Sequence, residues 1–358
     1  MDEMDKKVTK GEEYLCPSCS GQLTFNPLES KLYCEYCGYS EEVVGETSTV
    51  EYDFDDASDD NSWKDEAKIF KCSSCDAENV VSIKEICYTC PFCGSNQVTE
   101  VDELPGIKPH RVLSFTISKD NASNSYIKKI KRNIFVPSKV KKMKIDVTLT
   151  GVYLPVWAFD TDTESRYSGR LGKTYVTHVG SGKNRRTVVR TRWYPISGNQ
   201  DCTFDDLLVN AGSKVSSKEL TSLEPFDTNN SYLYNQKYLA GFVAEHYTLK
   251  LDTAWGNAKI KVDKAIKQKI LSHYVYDKIG YLNVSSVYKN LQYKYVLVPV
   301  WIGVFKHNNK NYRFIVNGTN DKKIVASLPM SALKITLFVL GMIGIFALIF
   351  LLLILFGE

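Results

Sequence analysis

An uninterrupted apolar run from Ile335 to Phe356 constrains this chain more than any other feature. The run holds no charged residue, and Thr336 is its one polar side chain. As a helix it would span about 33 Å, which matches the roughly 30 Å hydrocarbon core of a bilayer. A core helix of a soluble protein would show a polar stripe, which this segment lacks. We therefore predict a transmembrane anchor over 331–358.

The charges beside this run predict how the protein is oriented. Lys334 precedes it directly, with Lys322 and Lys323 a little earlier, so the positive-inside rule places the amino-terminal bulk in the cytosol. Residues 1–10 are charged and no apolar stretch follows them, so we expect no signal peptide. The prediction is a single-pass protein of the cell membrane. Its ten cysteines would then lie in a reducing compartment, where metal binding is commoner than disulfides.

Residues 14–94 contain an internal repeat. Its first copy reads YLCPSCSGQLTFNPLESKLYCEYCG, and its second, from Phe70 to Gly94, reads FKCSSCDAENVVSIKEICYTCPFCG. In both, two Cys-x2-Cys pairs stand 14 residues apart, and a glycine follows the last cysteine. Two such knuckles supply four thiolates to a tetrahedral Zn²⁺ with little chain strain.

We therefore predict two zinc ions, each held by one copy of the repeat. The predicted ligands are Cys16, Cys19, Cys34 and Cys37 for the first ion, and Cys72, Cys75, Cys90 and Cys93 for the second. Cys87 and Cys90 also form a Cys-x2-Cys pair, but the matching spacing and Gly94 favour Cys90 with Cys93. All-cysteine sites leave no open position for water, so both ions are predicted to be structural.

The net charge of +4 hides an uneven distribution. Residues 1–104 contain 24 acidic and 8 basic residues, whereas residues 105–358 contain 17 acidic and 37 basic residues. Phosphate binding needs clustered lysine and arginine, and the ribbon copies offer only Lys31, Lys71 and Lys84. The ribbons are therefore expected to bind protein, and nucleic acid is a disfavoured partner for them.

The sequence predicts an α+β fold with two amino-terminal zinc ribbons, at 1–40 and 70–104. An acidic linker over 41–69 joins them; we expect it to be solvated, although Tyr52, Phe54 and Trp63 could pack on a partner. A basic, β-rich α+β domain over 105–330 precedes the transmembrane anchor. In that domain Pro155-Val156-Trp157 and Pro299-Val300-Trp301 each follow a lysine-rich helix and precede a polar hairpin. This recurrence suggests a duplicated α+β unit, with chance recurrence as the alternative.

Periodicity places the elements of the β-rich domain. Strands are predicted over Val112–Ile117, Lys144–Asp160, Tyr238–Tyr247 and Tyr295–Phe305, with Tyr312–Asn317 pairing with the last. Helices are predicted over Asp120–Ile134 and Asp252–His273. Apolar residues on one face of each helix should be buried: Ala122, Tyr126, Ile130 and Ile134 in the first, and Trp255, Ala258, Val262, Ile266 and Ile270 in the second. A turn at 180–184 should close a hairpin.

A basic segment lies between Lys128 and Lys144, with eight lysines and arginines in 17 residues: Lys128, Lys129, Lys131, Arg132, Lys139, Lys141, Lys142 and Lys144. Because its domain adjoins the anchor, the segment could bind anionic lipid headgroups, at about 1 kcal/mol per base. Nucleic acid and the chain's own acidic ribbons are the other candidate partners. A merely solvated face is the simplest alternative.

No catalytic constellation stands out. The five histidines are scattered and lack the motifs of metalloproteases or hydrolases. The Gly169–Thr174 segment ends like a phosphate-binding loop, but Tyr167 stands where that loop needs its first glycine. We expect Cys202 to be buried and inert, and Trp157 and Trp301 to be core or edge aromatics rather than ligand platforms. The protein is therefore predicted not to be an enzyme.

Several short segments of this sequence resemble those of a known family. Two ribbons occur together with GVYLPVWAFD, SLEPFD, YLAGFVAEHY, YVLVPVW, an NGT turn and a terminal anchor. This combination resembles the membrane-anchored zinc-ribbon proteins of Gram-positive bacteria known as the YdjG type. Gly318-Thr319-Asn320 departs from the Gly-x-Thr-Gly of that family. The resemblance implies a role in envelope stress, in which a phage-shock protein A relative and a second zinc-ribbon protein are brought to the membrane.

The sequence thus predicts a non-enzymatic, tail-anchored scaffold that recruits cytosolic partners to the membrane through its acidic ribbons. A membrane-tethered nucleic-acid-binding protein that uses Lys128–Lys144 is the alternative. An enzyme with an unrecognised site in the β-rich domain is a third possibility.

Overall fold

The computed structural model describes residues 15–43, 45–47, 50–57, 67–82, 90–93, 95, 98–101, 106–142, 148–180, 185–307 and 310–356. The α-helices in these ranges are α1 Lys119–Arg132, α2 Ser138–Lys142, α3 Ser217–Leu223, α4 Leu251–Ser272 and α5 Ala332–Phe356. The first strands are β1 Leu23–Asn26, β2 Lys31–Cys34, β3 Ser40–Glu42, β4 Tyr52–Asp53, β5 Ala67–Cys72, β6 Glu78–Ser82, β7 Val98–Val101 and β8 Arg111–Val112. The later strands are β9 Thr148–Val179, β10 Arg186–Asn210, β11 Tyr232–Leu233, β12 Val243–Glu245, β13 Lys278–His307, β14 Lys310–Asn317 and β15 Ile324–Ala326.

These strands form two sheets within the described ranges. The small sheet, β1-β2-β3, belongs to the first cysteine repeat. The large sheet has the order β11-β8-β13-β9-β12-β6-β5-β7, and β10 pairs with β9 while β14 joins β13 to β15. The molecule is therefore mixed α+β, with amino-terminal cysteine clusters, a β-rich body and one carboxyl-terminal apolar helix, as the sequence predicts.

The centre of the large sheet has an internal two-fold relation. The antiparallel strands β9 and β13 pair so that Leu154 lies opposite Val298. One Pro-Val-Trp segment directly follows Leu154 and the other directly follows Val298. Short strands flank them in the same way, because β12 runs parallel to β9 and β8 runs parallel to β13. Each unit thus consists of a short strand, a helical segment and a long strand with a hairpin partner.

Two tryptophans repeat the same hydrogen bond in the two units. The Trp157 indole donates to the carbonyl of Leu249, just before α4, at 2.9 Å. The Trp301 indole donates to the carbonyl of Ile117, just before α1, at 2.8 Å. Both tryptophans are buried, which confirms that they are core residues. A chance recurrence of three residues would not reproduce this bond, so the contacts favour the duplicated unit.

The long strands leave the body and form an arm. Beyond Asp160, β9 continues with β10 on one side and the first half of β13 on the other. Helix α4 covers one face of this arm, where Val262, Ile266 and Ile270 are buried against aromatic and aliphatic side chains of the three strands. The outer end, from Lys173 to Arg192, is a two-stranded ribbon because β13 starts opposite Gly172.

Two predicted strands differ from the structure. Of the predicted strand Val112–Ile117, only Val112 lies in a strand, β8, although the Leu113 amide also donates to the Leu297 carbonyl of β13. Further along, the Gly318 carbonyl accepts from the amides of Thr116 and Ile117. The predicted strand Tyr238–Tyr247 is a 3-10 turn followed by the short β12, because the backbone of Phe242 bonds back to Leu239.

The boundaries of two other elements also change. Helix α1 ends at Arg132, so Ile134 lies beyond it and is 59% exposed, contrary to the predicted burial, whereas Ala122, Tyr126 and Ile130 are buried. Strand β9 continues well past the predicted end at Asp160. Helix α4 and the pairing of β14 with β13 are confirmed, as is the hairpin between β9 and β10, whose turn at 181–184 lies outside the described residues.

The acidic stretch between the ribbons is attached to the body in its described part. Tyr52–Asp53 forms β4 and pairs with β13. Phe54 packs on the core, with its ring 6.5 Å from that of Phe159. Residues 50–57 therefore contact the chain's own body, while Asp53, Asp55 and Asp56 are exposed as expected for a solvated segment. Trp63 lies outside the described residues. The division into domains stays a prediction, although β6 of the second ribbon pairs with β12 of the body.

Candidate metal centres and neighbouring surfaces

The first cysteine cluster joins two turns of the small ribbon. The Cys16 and Cys37 sulfurs lie 3.3 Å apart, and those of Cys19 and Cys34 lie 3.5 Å apart. All four sulfurs are within 4.8 Å of one another. Cys16 and Cys34 are buried, whereas Cys19 and Cys37 are exposed. The predicted ligands of this site are therefore together.

The second cluster repeats this arrangement. Its Cys72–Cys93 and Cys75–Cys90 sulfur pairs are each 3.7 Å apart, and all four sulfurs again lie within 4.8 Å of one another. The four predicted ligands thus converge, with Cys90 and Cys93 as the second pair. Cys87, the alternative ligand, lies outside the described residues.

The same backbone turn builds both clusters. In the first, the amide of Ser20 donates to the Cys16 carbonyl at 2.8 Å; in the second, the amide of Asp76 donates to the Cys72 carbonyl at 2.8 Å. Ser20 and Asp76 both have positive φ, 59° and 55°, which turns the chain back toward the sulfurs. Such turns aim the amides of Ser18 and Cys19 at the Cys16 sulfur, and those of Ser74 and Cys75 at the Cys72 sulfur.

These geometries fit a tetrahedral metal ion. Zinc–sulfur bonds of about 2.3 Å require sulfur–sulfur edges of about 3.8 Å, close to the observed separations. Disulfides would need about 2.05 Å, so the cysteines are not bridged. Four thiolates leave no open position, so each four-cysteine cluster could hold a structural zinc ion but not a catalytic one.

The backbone also favours the thiolate form of one cysteine in each cluster. Burial raises the pKa of Cys16, but the Cys37 thiol and the amides of Ser18 and Cys19 outweigh it and lower that pKa to about 6. Burial likewise raises the pKa of Cys72, and the amides of Ser74 and Cys75 lower it to about 7. The pKa values of Cys19 and Cys37 in the first cluster, and of Cys75 and Cys90 in the second, are raised instead, so a metal ion that needs deprotonated ligands would have to displace their protons.

A buried charge cluster lies where the arm meets the body, and no sequence motif indicated it. The Lys294 ammonium, with only 3% of its side chain exposed, lies 2.8 Å from Asp206, 3.0 Å from Glu51 and 3.5 Å from Asp160. Burial raises the pKa of Asp160 to about 7, although Lys294 opposes this. The lysine occupies the position that a cation would take among these carboxylates, so the cluster is an internal ion-pair network.

The basic residues of α1 and α2 lie at the base of α5. The Ser331 amide donates to the Phe135 carbonyl at 2.9 Å, and Lys334 donates to the Val136 carbonyl at 2.8 Å. The Phe135 and Phe338 rings meet edge to face at 5.3 Å. The exposed members of the basic cluster are Lys128, Lys131, Arg132, Lys139 and Lys142.

Other members of that cluster have partners within the chain. Lys129 donates to the Ile324 carbonyl, and burial lowers its pKa. Lys141 is half-buried, and Lys144 lies outside the described residues. The predicted patch is therefore a smaller exposed surface beside the anchor, and its ligand stays a prediction.

Helix α5 is long and apolar enough to cross a membrane. Its span Ala332–Leu351 has Lys334 as its one charged residue, and none of the span is buried in the rest of the chain. The full helix of 25 residues would measure about 37 Å. The structure supports the membrane association of the chain, while its orientation stays a prediction.

The remaining candidates stay apart from these centres. His110 and His246 are held in aromatic contacts with Tyr52 and Tyr247, while His178 is exposed on the arm. Cys202 is half-buried against α4 rather than fully buried. The Gly169–Thr174 segment lies within strand β9, as its β-branched continuation predicts.

The chain is similar to the uncharacterized protein YdjG of Bacillus subtilis (strain 168). The two are 26% identical over 338 residues, which cover 92% of this chain and 94% of the relative. None of the known protein-family models matches the chain. No solved structure matches it significantly.

Proposed function

We propose that this protein is a non-enzymatic, membrane-anchored scaffold whose zinc ribbons recruit protein partners. Its two four-cysteine clusters are closed to chemistry, so their role would be to hold ribbon surfaces in shape. Helix α5 would hold the chain in the membrane with its bulk in the cytosol, and the exposed lysines of α1 and α2 would lie against anionic headgroups.

The observation that carries this proposal is the exposure of large side chains on the first ribbon. Tyr36, between Cys34 and Cys37, is 82% exposed, and Leu28 and Tyr33 are 56% and 41% exposed. Tyrosines at a rigid surface are typical anchors of protein interfaces. The exposed Glu29 and Glu35 beside them favour a partner that combines an apolar pocket with basic residues.

Recruitment is tested by affinity capture from native membranes with the full-length protein. Deleting residues 1–104 would be unsuitable, because β4 of the acidic stretch and β6 of the second zinc ribbon pair with strands of the body. We expect Tyr36→Ala to lose specific partners that the parent retains. Tyr281→Ala removes a tyrosine with 51% exposure on the arm and serves as the matched control.

Identical sets of captured proteins from the parent and Tyr36→Ala would contradict recruitment through this ribbon. The resemblance to the YdjG type further proposes a phage-shock protein A relative and a second zinc-ribbon protein as partners. Both should then be captured by the parent and the control, and both should be depleted from the Tyr36→Ala sample.

A further inference from the structure

The arm carries a basic surface that the ribbons and the anchor do not explain. Glu164 on β9 lies opposite Asp201 on β10. These two are the outermost acidic residues of their strands, at the same distance along the arm. The 36 residues between them contain no Asp or Glu. The same stretch contains eight basic residues: Arg166, Arg170, Lys173, Lys183, Arg185, Arg186, Arg190 and Arg192.

The choice of arginine distinguishes this surface from the other basic surfaces. Six of the nine arginines of the chain lie in this stretch, but only two of its 36 lysines. The exposed faces of α1 and α4 use lysine almost throughout. A guanidinium donates two parallel hydrogen bonds to a phosphate and stacks on flat rings, which an ammonium cannot do. Solubility alone would not require arginine in place of lysine at these positions.

The outer end of the arm presents its cations on a narrow ribbon. Cross-strand pairs run from Lys173 with Arg192 to Val179 with Arg186, which makes a two-stranded projection of about 23 Å. Residues of alternate pairs share a face, so Lys173, Arg186, Arg190 and Arg192 lie on the same side as Tyr175. The Arg192 guanidinium lies 5.9 Å from the Tyr175 ring centre, within the range of a cation–π contact.

One acidic group, Asp277, borders this ribbon, and its charge interacts with that of Lys173. Asp277 accepts hydrogen bonds from the amide and the hydroxyl of Thr174, at 2.6 and 2.7 Å, on the opposite face. These two bonds hold the pKa of Asp277 below its usual value. The arginine face of the ribbon is therefore open.

We propose that this ribbon binds duplex DNA, with its arginines on the phosphates that border the major groove. That groove is about 12 Å wide and admits a two-stranded β-ribbon. Contacts of this kind give affinity through counterion release and little sequence preference. The site differs from the lysine cluster beside the anchor, and it does not depend on the zinc ribbons as protein-docking modules.

Two observations favour DNA over a lipid surface as the ligand. Residues 173–192 contain no Leu, Ile, Phe or Trp, the side chains that interfacial elements insert into the headgroup region, and the exposed Val176 and Val189 lie on the face opposite the arginines. The base of α5 connects through β15, β14 and β13 to Gly151 of β9, and the contour of that strand from Gly151 to Val179 at the ribbon tip is about 90 Å. Attraction to a charged bilayer decays over about 10 Å.

Binding is tested with full-length, zinc-loaded protein in nanodiscs of neutral lipid and a fluorescent 30-base-pair duplex, by anisotropy across a salt series. The triple variant Arg186→Gln, Arg190→Gln and Arg192→Gln should weaken binding at least 30-fold at 0.1 M NaCl. It should also reduce the slope of log affinity against log salt by about 2 to 3. The control, Lys128→Gln with Lys131→Gln and Lys139→Gln, removes the same charge beside the anchor and should change affinity less than threefold.

Binding of the same samples to vesicles that contain 30% anionic lipid is measured in parallel. Circular dichroism and zinc content verify the fold of each variant. Loss of duplex binding in the arm variant alone supports the proposal. Three results would overturn it: a parent that does not bind the duplex, equal losses in the two variants, or an arm variant that loses vesicle binding and retains duplex binding.

Discussion

Glu245 shows how one buried side chain can set the pH response of this protein. It ends strand β12 with 1% of its surface exposed, and one of its carboxylate oxygens accepts from the amides of Ser213 and Lys214 at 2.7 and 3.0 Å. Burial raises its pKa to about 7, although these donors oppose the shift. The folded state therefore binds a proton that the unfolded chain releases above about pH 4.5.

The expected consequence is that Glu245 costs stability as the pH rises from about 5 to 7. A neutral Gln side chain at this position can keep accepting from both amides. The free energy of unfolding of the Glu245→Gln variant, relative to that of the parent, should therefore increase by about 2–3 kcal/mol over that range. Thermal melting of the detergent-solubilised protein at pH 5.5, 7 and 8.5 measures this difference. The exposed Glu164→Gln should show no such trend, and a parallel pH dependence of Glu245→Gln and the parent would contradict the assignment.

Residues differ in how far the sequence predicts their roles. The eight cysteines are predictable because their spacing encodes the metal geometry. Glu245 and Lys294 are not, because a lone charge in a strand-like segment does not indicate whether it will be buried. The partners of Lys294 come from three distant positions, 51, 160 and 206, and only the fold brings them together.

At the scale of elements, Lys294 fixes the segment between the ribbons to β13. Lys294→Met would leave the carboxylates of Glu51 and Asp206 buried without their cation, which typically costs about 3–5 kcal/mol. We expect a lower melting temperature and faster hydrogen exchange in residues 50–57. Lys289→Met, on the same strand, breaks an exposed pair with Glu164 and should cost at most about 1 kcal/mol. Equal effects of the two substitutions would show that burial does not strengthen the Lys294 network.

Loss of the zinc site should expose different strands to hydrogen exchange in the two zinc ribbons. Cys16→Ser and Cys72→Ser should each lower the zinc content from two ions to one per chain. Cys72→Ser should also expose β12 and β9 to hydrogen exchange, because β6 of that ribbon pairs with β12. Cys16→Ser should affect mainly the small sheet and its contact between Phe25 and Tyr238. Metal analysis and exchange mass spectrometry measure both effects, and equal exposure of β9 in the two variants would refute this difference.

Elements with a strong periodicity are the ones that the sequence predicts. Helix α4 has buried residues at every fourth position, and its predicted bounds differ from the observed ones by one residue at each end. The arm is not predictable in this way, because its outer face is polar and the residues after Asp160 resemble a loop rather than a strand. Pairing with β10 and β13 keeps that segment extended, and such long-range pairing leaves no local signal.

For the whole molecule, the apolar helix should decide where the chain is found. The double substitution Ile343→Arg and Phe346→Arg places two charges near the middle of α5, at about 2.5–3.5 kcal/mol each on insertion scales. We expect most of this variant to leave the membrane fraction on alkaline carbonate extraction. Leu333→Arg adds one charge at the start of the helix and should remain in that fraction. Retention of the double variant would show that α5 is not the membrane anchor.

The continuity of β9 has a consequence for distances within an assembly. One strand runs from the core to the arm tip, and β10 and β13 each have an irregularity at the same level, beside Asp160 and Thr161; a second irregularity of β13 lies beside Arg170 and Leu171. The spacing between the body and anything held at the tip is therefore set by the number of residues in β9, and not by a flexible tether. Inserting two residues into each arm strand beyond that level should lengthen this spacing by about 7 Å and preserve which side chains share a face.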